Sequence, residues 1–476
     1  MTHKPGSIVA VGGYLPLLRL DRAQAAKSLK HFGFGGRQAG YRAVGGWDED
    51  AFTFAAEASR MFVDSPPARL CFASTSAPFL DRAHSALLVD ALALPRDTRT
   101  LDVAGSRRCA VAALLDALLA ADDSLIAAGE RRPAKAGSPS HLVYGDGGSA
   151  IRTGEDGPAR LAGWASIAHD LLDSYASRGH ETAYPSEERF VRDIASSTII
   201  APAIADACAK AGIAPGDIKW AAVHEPLSGM WKDIARNAGI TAPNLAATLS
   251  EQAGDLGAAH ALFALALAFD AARPGDHVLL AGFGSGCDAL VFRMDAPVPG
   301  AAEVRNALGS GLTSSDYVRF LSLTGTLDLD FGVRSEFEQK AQATVLERYG
   351  RDTIGFIGGR DEAGNVQFPK TAIPVRPGAK GREAFEDVRL ADLPAKVASV
   401  TADRLNYTPD PPFWFGLVQF DNGARILMEL TDAGPVGFSV GDPLVMRLRI
   451  KSVDRRRGMR TYFWKGAPAK RPQMEA

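Results

Sequence analysis

The sequence predicts an α/β protein built as two similar layered halves, followed by a small β-barrel. Three observations carry this. An order of strand, helix and strand begins twice before residue 296. Each half holds a helix that is apolar on nearly every face, Cys109 to Ala120 and about Gly257 to Ala272, and such helices are buried ones. Beyond Pro297 the composition changes, and short strand-like runs recur between turn signals, the mark of a small barrel.

The elements follow in order. Ser7 to Val11 is an apolar strand closed by Gly12-Gly13. Asp21 to Lys30 reads as helix and the Gly-rich stretch His31 to Arg42 as loop. Asp48-Glu49-Asp50 opens a helix through Met61, where first-turn acids complement the dipole. Leu70 to Ala73 is a strand ending at Ser74-Thr75-Ser76; helix 82–92, strand Thr100 to Val103 and the Cys109 helix follow. The second half runs through helix 187–211, strand Ile218 to Val223, helix 228–238, the second apolar helix, and strand His277 to Ala281 before Gly282-Phe283-Gly284-Ser285-Gly286. The expected domains are 1–155, 156–296, a linker 297–315, a segment 316–384 that is helical in part with a strand from Thr353 entering a turn, and a barrel 385–470. Val397 to Tyr407, Phe413 to Gln419, Ala424 to Leu430 and Leu444 to Val453 supply its strands.

Composition excludes several classes. Hydrophobic residues at 46% and charged residues at 23% of 476 describe a globular chain. A net charge of −2 leaves no footprint for nucleic acid or an anionic membrane. Cys71, Cys109, Cys208 and Cys287 are widely spaced, against a disulfide framework or a cysteine-built metal site, and a cytoplasmic setting is expected. Met1 to Leu20 is too short and broken for a signal peptide or a membrane span.

Cys109 is the residue with the most chemistry in its context. First-turn amides are unpaired and carry the positive dipole end, which favours thiolate, the nucleophilic form. Arg107 and Arg108 would add to this if they point inward. Free cysteines are also commonly just buried, so a structural Cys109 is the alternative.

Six further pieces are Gly13-Tyr14-Leu15-Pro16, Asp48-Glu49-Asp50, Cys109 on its Ala/Leu helix, Tyr144 to Ala150, Ala222-Val223-His224-Glu225-Pro226 and Gly282 to Gly286. In this order they resemble the thiolase superfamily, specifically HMG-CoA synthases of the archaeal type and ketoacyl-ACP synthase III. The resemblance implies a duplicated αβαβα fold and acyl transfer through an acyl-Cys109 thioester. His224 would activate the thiol or bind a substrate carbonyl. The amides of Gly284, Ser285 and Gly286, with that of Cys109, would form an oxyanion hole, although a tight turn explains the glycines equally. Coenzyme A and acyl-CoA are implied as substrates, with no tightly bound cofactor, no metal, and a homodimer by analogy.

Two departures matter. The glutamate of the family's Thr-Glu-Ser run is replaced by Thr75, which is kept as a substrate-binding candidate. The family's Gly-Asn reads Gly254-Asp255, so Asp255 is a candidate to orient His224, to act as the missing base, or merely to cap a helix. His260 is a second polar candidate with a core role as its alternative. Cys287 follows its glycine run and is read as structural.

The tail resembles zinc-ribbon plus OB-fold proteins that partner thiolases, here fused in cis. Its Arg360 to Pro369 keeps the frame of their knuckle without the thiol ligands, so no structural zinc is expected. Lys451, Arg455, Arg456 and Arg457 are candidates for coenzyme A phosphates, against a solvated hairpin tip. The expected activity is a thiolase-type condensation or thiolysis. HMG-CoA synthesis with Asp255 as base is one alternative, and a non-catalytic acyl-CoA-binding subunit is another.

Overall fold

The computed structural model describes residues 4–32, 39–327, 329, 343–379, 381–406, 408–454 and 458–474. Arg455, Arg456 and Arg457 lie outside them. Strands β1 (Ser7–Tyr14), β2 (Arg69–Ala73), β3 (Arg99–Val103), β4 (Ser124–Glu130), β5 (Gly147–Gly154), β6 (Ala159–Ala168), β7 (Ile218–Val223), β8 (His277–Phe283) and β9 (Gly286–Met294) form one sheet. Its order is β7-β8-β9-β6-β1-β5-β4-β2-β3. β1 and β6 pair only through Ser7 with Arg160 and Ile8 with Ala159, so two half-sheets meet at this narrow seam. In one half β3, β2 and β4 run parallel while β5 and β1 are antiparallel. In the other, β7 and β8 are parallel, and β9 and β6 antiparallel. The same plan is therefore used twice.

Five helices matter here: α1 (Ala51–Ser59), α2 (Cys109–Ala120), α3 (Ala201–Ala211), α4 (His260–Ala271) and α5 (Ala301–Gly309). The all-apolar helices α2 and α4 lie in one core with Ile126 and Ile151 of the first half and Val278 and Leu290 of the second. They are the central layer between two half-sheets. α3 covers the second half from outside, with Ile204 and Ala207 against Ile218 and Val291. It ends a helical run, Glu188–Ala211, long and apolar enough by composition to cross a membrane, but half of that run is buried against its own sheet.

α1 covers the first half and is itself covered. Its Phe52, Ala55 and Ala58 share a core with Met446, Leu448 and Trp464 of the C-terminal sheet. That sheet has six strands, Ala395–Val397, Thr401–Asp403, Phe413–Phe420, Arg425–Glu429, Pro443–Asp454 and Met459–Pro468. A bridge from Leu430 to Gly466 turns its edge back toward the last strand.

The acidic run before α1 does more than cap. Asp50 does cap, in a reciprocal pair with Thr53. It also accepts from Arg460 at 2.8 Å and from the Tyr462 hydroxyl at 2.8 Å. Asp48 takes Lys465 at 2.9 Å, and Glu49 takes the fully buried Arg449 at 3.1 Å. The run is thus the socket for the C-terminal sheet.

Three local expectations fail. Within the expected linker, α5 forms and buries Val304 against α4 and β1, because its apolar face outweighs the flanking glycines. Of the loop expected over 31–42, residues 33–38 lie outside the described ones, while Tyr41 and Arg42 belong to a strand, Tyr41–Val44, paired with Leu18–Asp21. The strand expected from Thr353 begins only at Ile357, since a helix runs on through Ile354. In the hairpin that follows, Asp361 accepts from the amides of Ala363 and Asn365, and Arg376 joins it to Glu383.

Candidate active site

Cys109 heads α2 at 4% exposure, with Ser106 to Arg108 as its approach loop. Burial pushes its thiol above the ordinary range. The charge of Glu130 pushes it further, and the amides of Ala110 and Cys109 only partly offset the two. This corrects the expectation of a resting thiolate. The arginines do not help, because both are taken by carboxylates. Arg107 pairs with Asp173 and, at 3.1 Å, with Asp255; Arg108 pairs with Asp288 at 2.9 Å.

His224 leaves β7 and is buried at 3% exposure. Its Nε2 lies 2.9 Å from Asp255 Oδ1. Asp255 also binds Arg132 at 2.7 Å and accepts the Gly257 amide at 2.9 Å. Burial alone would raise the Asp255 carboxyl, but Arg132, His224 and Arg107 hold it well below the usual range. An always-ionised acceptor fixes the His224 proton on Nε2. Nδ1, which has no partner among the described residues, then carries the lone pair. So Asp255 orients His224. Two guanidiniums also hold down the proton affinity of this carboxylate, which is a candidate for the missing base.

His260 stacks on His224 with ring centroids 4.6 Å apart. Its Nδ1 accepts the Leu256 amide and its Nε2 faces the Ala246 carbonyl at 3.0 Å. Burial pushes it down to about 3, and it is nearly fully enclosed. His224, Asp255 and His260 present ligand atoms within 4.8 Å of one another. The Asp255 carboxylate among them is already shared by Arg107, Arg132, His224 and the Gly257 amide.

The Gly284-Ser285-Gly286 turn presses on the approach loop to Cys109. A Cβ on Gly284 would lie 2.8 Å from Ser106 Oγ and 3.1 Å from the Arg108 amide, so only glycine fits. Arg108 holds the turn through the Gly284 carbonyl at 3.1 Å. Two of the expected oxyanion donors are occupied. The Gly284 amide donates to the Gly286 carbonyl at 2.9 Å, and that of Cys109 to the Ser106 carbonyl at 3.0 Å. The Ser285 amide has no acceptor among the described residues, and Ser285 sits at a left-handed φ of 46°.

Thr75 stands where the resemblance expects a glutamate, and a glutamate meets it there. β2 and β4 are parallel with Ala73 beside Ala128, which brings Glu130 alongside Thr75. Glu130 is fully buried and accepts from the Thr75 hydroxyl at 3.0 Å and the Ala258 amide at 2.9 Å. The Thr75 amide and the Ser76 hydroxyl donate to it as well. Sequence reasoning missed Glu130. The available signal was the apolar run Ser124 to Gly129 ending in a charged residue at the carboxyl end of a parallel strand. Of the phosphate candidates, Lys451 pairs with Glu429, and Arg455 and Arg456 lie outside the described residues.

The two half-sheets enclosing two apolar helices, with a cysteine heading one of them, define a thiolase-like α/β fold. In sequence and fold the chain is similar to HMG-CoA synthases and ketoacyl synthases III. Residues 208–294 match the family model "3-Oxoacyl-[acyl-carrier-protein (ACP)] synthase III C terminal". The hydroxymethylglutaryl-CoA synthase of Pyrococcus horikoshii is 27% identical over 309 residues, spanning 61% of this chain and 86% of that one. That of Aeropyrum pernix is 26% identical over 349 residues, 69% and 93% of the two chains. Among solved structures, an HMG-CoA synthase complexed with CoA aligns with a TM-score of 0.59 at 14% identity, covering 71% of this chain and 95% of that one. The β-ketoacyl-[acyl carrier protein] synthase III of Thermus thermophilus aligns with a TM-score of 0.52 at 19% identity, over 61% and 100% of the chains.

Proposed function

We propose that the protein is an acyl-CoA-dependent acyltransferase that makes or breaks a carbon–carbon bond through an acyl-Cys109 thioester. One observation carries the reading: Asp255 binds both His224 and Arg107, two residues before the thiol, and so ties the histidine of one half to the nucleophile loop of the other. In this reading Cys109 Sγ attacks the thioester carbonyl of acyl-CoA, its proton passes to His224 Nδ1, and coenzyme A leaves as the thiol with that proton. The Ser285 amide is the donor available to the developing oxyanion. Relatives named for HMG-CoA synthesis and β-ketoacyl-ACP synthesis support the reaction class.

The raised thiol fits a nucleophile activated only with substrate present. We read the six-stranded C-terminal sheet as an OB-fold fused in cis and the protein as a cytoplasmic homodimer. Mass spectrometry after incubation with acetyl-CoA tests the central claim. The expected outcome is a 42 Da adduct, the mass of one acetyl group, on the peptide carrying Cys109 and none in Cys109→Ala. An unmodified wild-type peptide would sink the reading.

A further inference from the structure

We propose that Asp173 is a positioning residue for the reaction: by holding Arg107 it balances the charge beside the His224–Asp255 pair, and so keeps His224 able to take the Cys109 proton. This rests on the acyl-Cys109 reading. Residues 168–190 leave the end of β6, form a hairpin of strands Ser174–Ser177 and His180–Pro185, and enter a helix at Glu188. Asp173 is the one buried residue in that stretch. The hairpin's Tyr175 and Tyr184 are exposed, with ring centroids 5.7 Å apart. A two-stranded hairpin standing by itself is marginal in water. Its root is closed where the Ser186 amide donates to the Asp173 carbonyl at 2.9 Å, and there the Asp173 side chain turns inward onto Arg107.

Arg107 carries the connection into the site. One of its nitrogens meets Asp173, the other meets Asp255 at 3.1 Å, and the Pro226 carbonyl, two residues beyond His224, lies 3.4 Å away. The side chains of Arg107, Asp173 and Asp255 are only 9%, 10% and 12% exposed, so water screens their charges poorly. The groups facing His224 are Asp255, the guanidiniums of Arg107 and Arg132, and the stacked His260 ring. Asp173 and Asp255 together match the two guanidiniums. Without Asp173 these four groups would leave one positive charge in excess, at the place where His224 must itself become positive.

That moment comes in acyl transfer. The Cys109 S–H bond breaks, its electron pair bonds to the thioester carbonyl carbon, and its proton moves to His224 Nδ1; coenzyme A then leaves as the thiol with that proton. Burial already lowers the proton affinity of His224, Asp255 opposes this, and Arg107 and Arg132 lower it further. Asp173 shares the Arg107 guanidinium and offsets its charge. The neighbouring Arg108 has a separate carboxylate, Asp288, and serves the glycine turn instead.

The test is the rate of Cys109 acetylation by acetyl-CoA in the full-length protein, followed by mass spectrometry from about pH 5 to 9. Wild type should accelerate with pH along a limb set by His224. In Asp173→Asn that limb should move down by about one pH unit while the plateau falls about 3–10-fold, since a weaker base is free earlier but pulls less on the thiol. The acetyl-CoA concentration giving half the maximal rate should stay within about threefold, because Asp173 acts through Arg107 and not on the substrate. Asp173→Glu keeps the charge and should return the limb to its wild-type place.

An unmoved limb in folded Asp173→Asn overturns the proposal, leaving Asp173 as an anchor of the hairpin alone. Equal limb shifts in the Asn and Glu variants overturn it too, because charge would then not be the cause. Should Asp173→Asn fail to fold, Arg107→Gln decides. It removes the cation, so its limb should move up, and a limb that stays or moves down overturns the proposal. Wild type that never acetylates would instead strike the acyl-Cys109 reading itself.

Discussion

Asp255 and Glu130 frame the site from opposite halves, and the fold satisfies them in opposite ways. Asp255 meets two arginines and a histidine; Glu130 meets hydroxyls and amides only. The first arrangement fixes a proton, because guanidiniums keep the carboxylate ionised and so keep His224 in one tautomer. The second surrounds a carboxylate with neutral donors alone. Two buried acids of similar size are thus held by different kinds of neighbour.

Asp255→Asn should give the largest effect. The amide leaves Arg107 and Arg132 without their shared anion, a loss of about 3–5 kcal/mol for a broken buried pair. It also releases the His224 tautomer, so turnover should fall on the order of 10²-fold. Chemical denaturation and steady-state kinetics would measure both. A pH series sharpens the contrast. The Asp255 carboxyl is depressed in the folded protein, so its stabilisation is fully present above the unfolded value of about 3.9 and is lost as pH falls below it. Wild-type stability should therefore drop through that window more steeply than that of the variant. Equal slopes would mean that the ion pairs contribute nothing.

Gly284→Ala should come next. Its new methyl would push on Ser106 and the Arg108 amide, costing about 1–3 kcal/mol, and would displace the nucleophile loop. The acetylation rate should drop roughly 10-fold or more, in proportion to misplacement; an unchanged rate would show that the turn does not set the position of Cys109. The smallest effect concerns the resting thiol. Iodoacetamide at pH 7 should label Cys109 more slowly than a free peptide thiol, with the rate climbing only well above pH 8.5. Rapid labelling at neutral pH would place Cys109 in a more open, charge-stabilised setting.

Much of this was legible in the chain, for reasons that can be named. Cys109, His224 and Gly284 sit where periodic apolar runs end, so their places follow from local pattern. The repeated half was legible because α2 and α4 are apolar all round, which only a central layer requires. Pairings that join distant strands were not. That Glu130 lies beside Thr75 depends on β2 and β4 being parallel neighbours in register, and no local pattern encodes register between separate strands. The Asp48-Glu49-Asp50 run looked like a helix start and is one, but its partners Arg449, Arg460 and Lys465 lie some 400 positions on. The α5 helix was hidden by flanking glycine and proline, which signal turns more loudly than one buried valine signals packing.

The acidic socket has a mechanical consequence. Its backbone oxygens at Gly46 and Glu49 accept from Arg131, the neighbour of Glu130, so the loop that holds the C-terminal sheet also tethers the end of the strand that carries Glu130. Whatever tilts the appended sheet tugs on that strand through a single guanidinium. An accessory module built this way behaves less like cargo on a leash than like a set screw bearing on the reaction chamber.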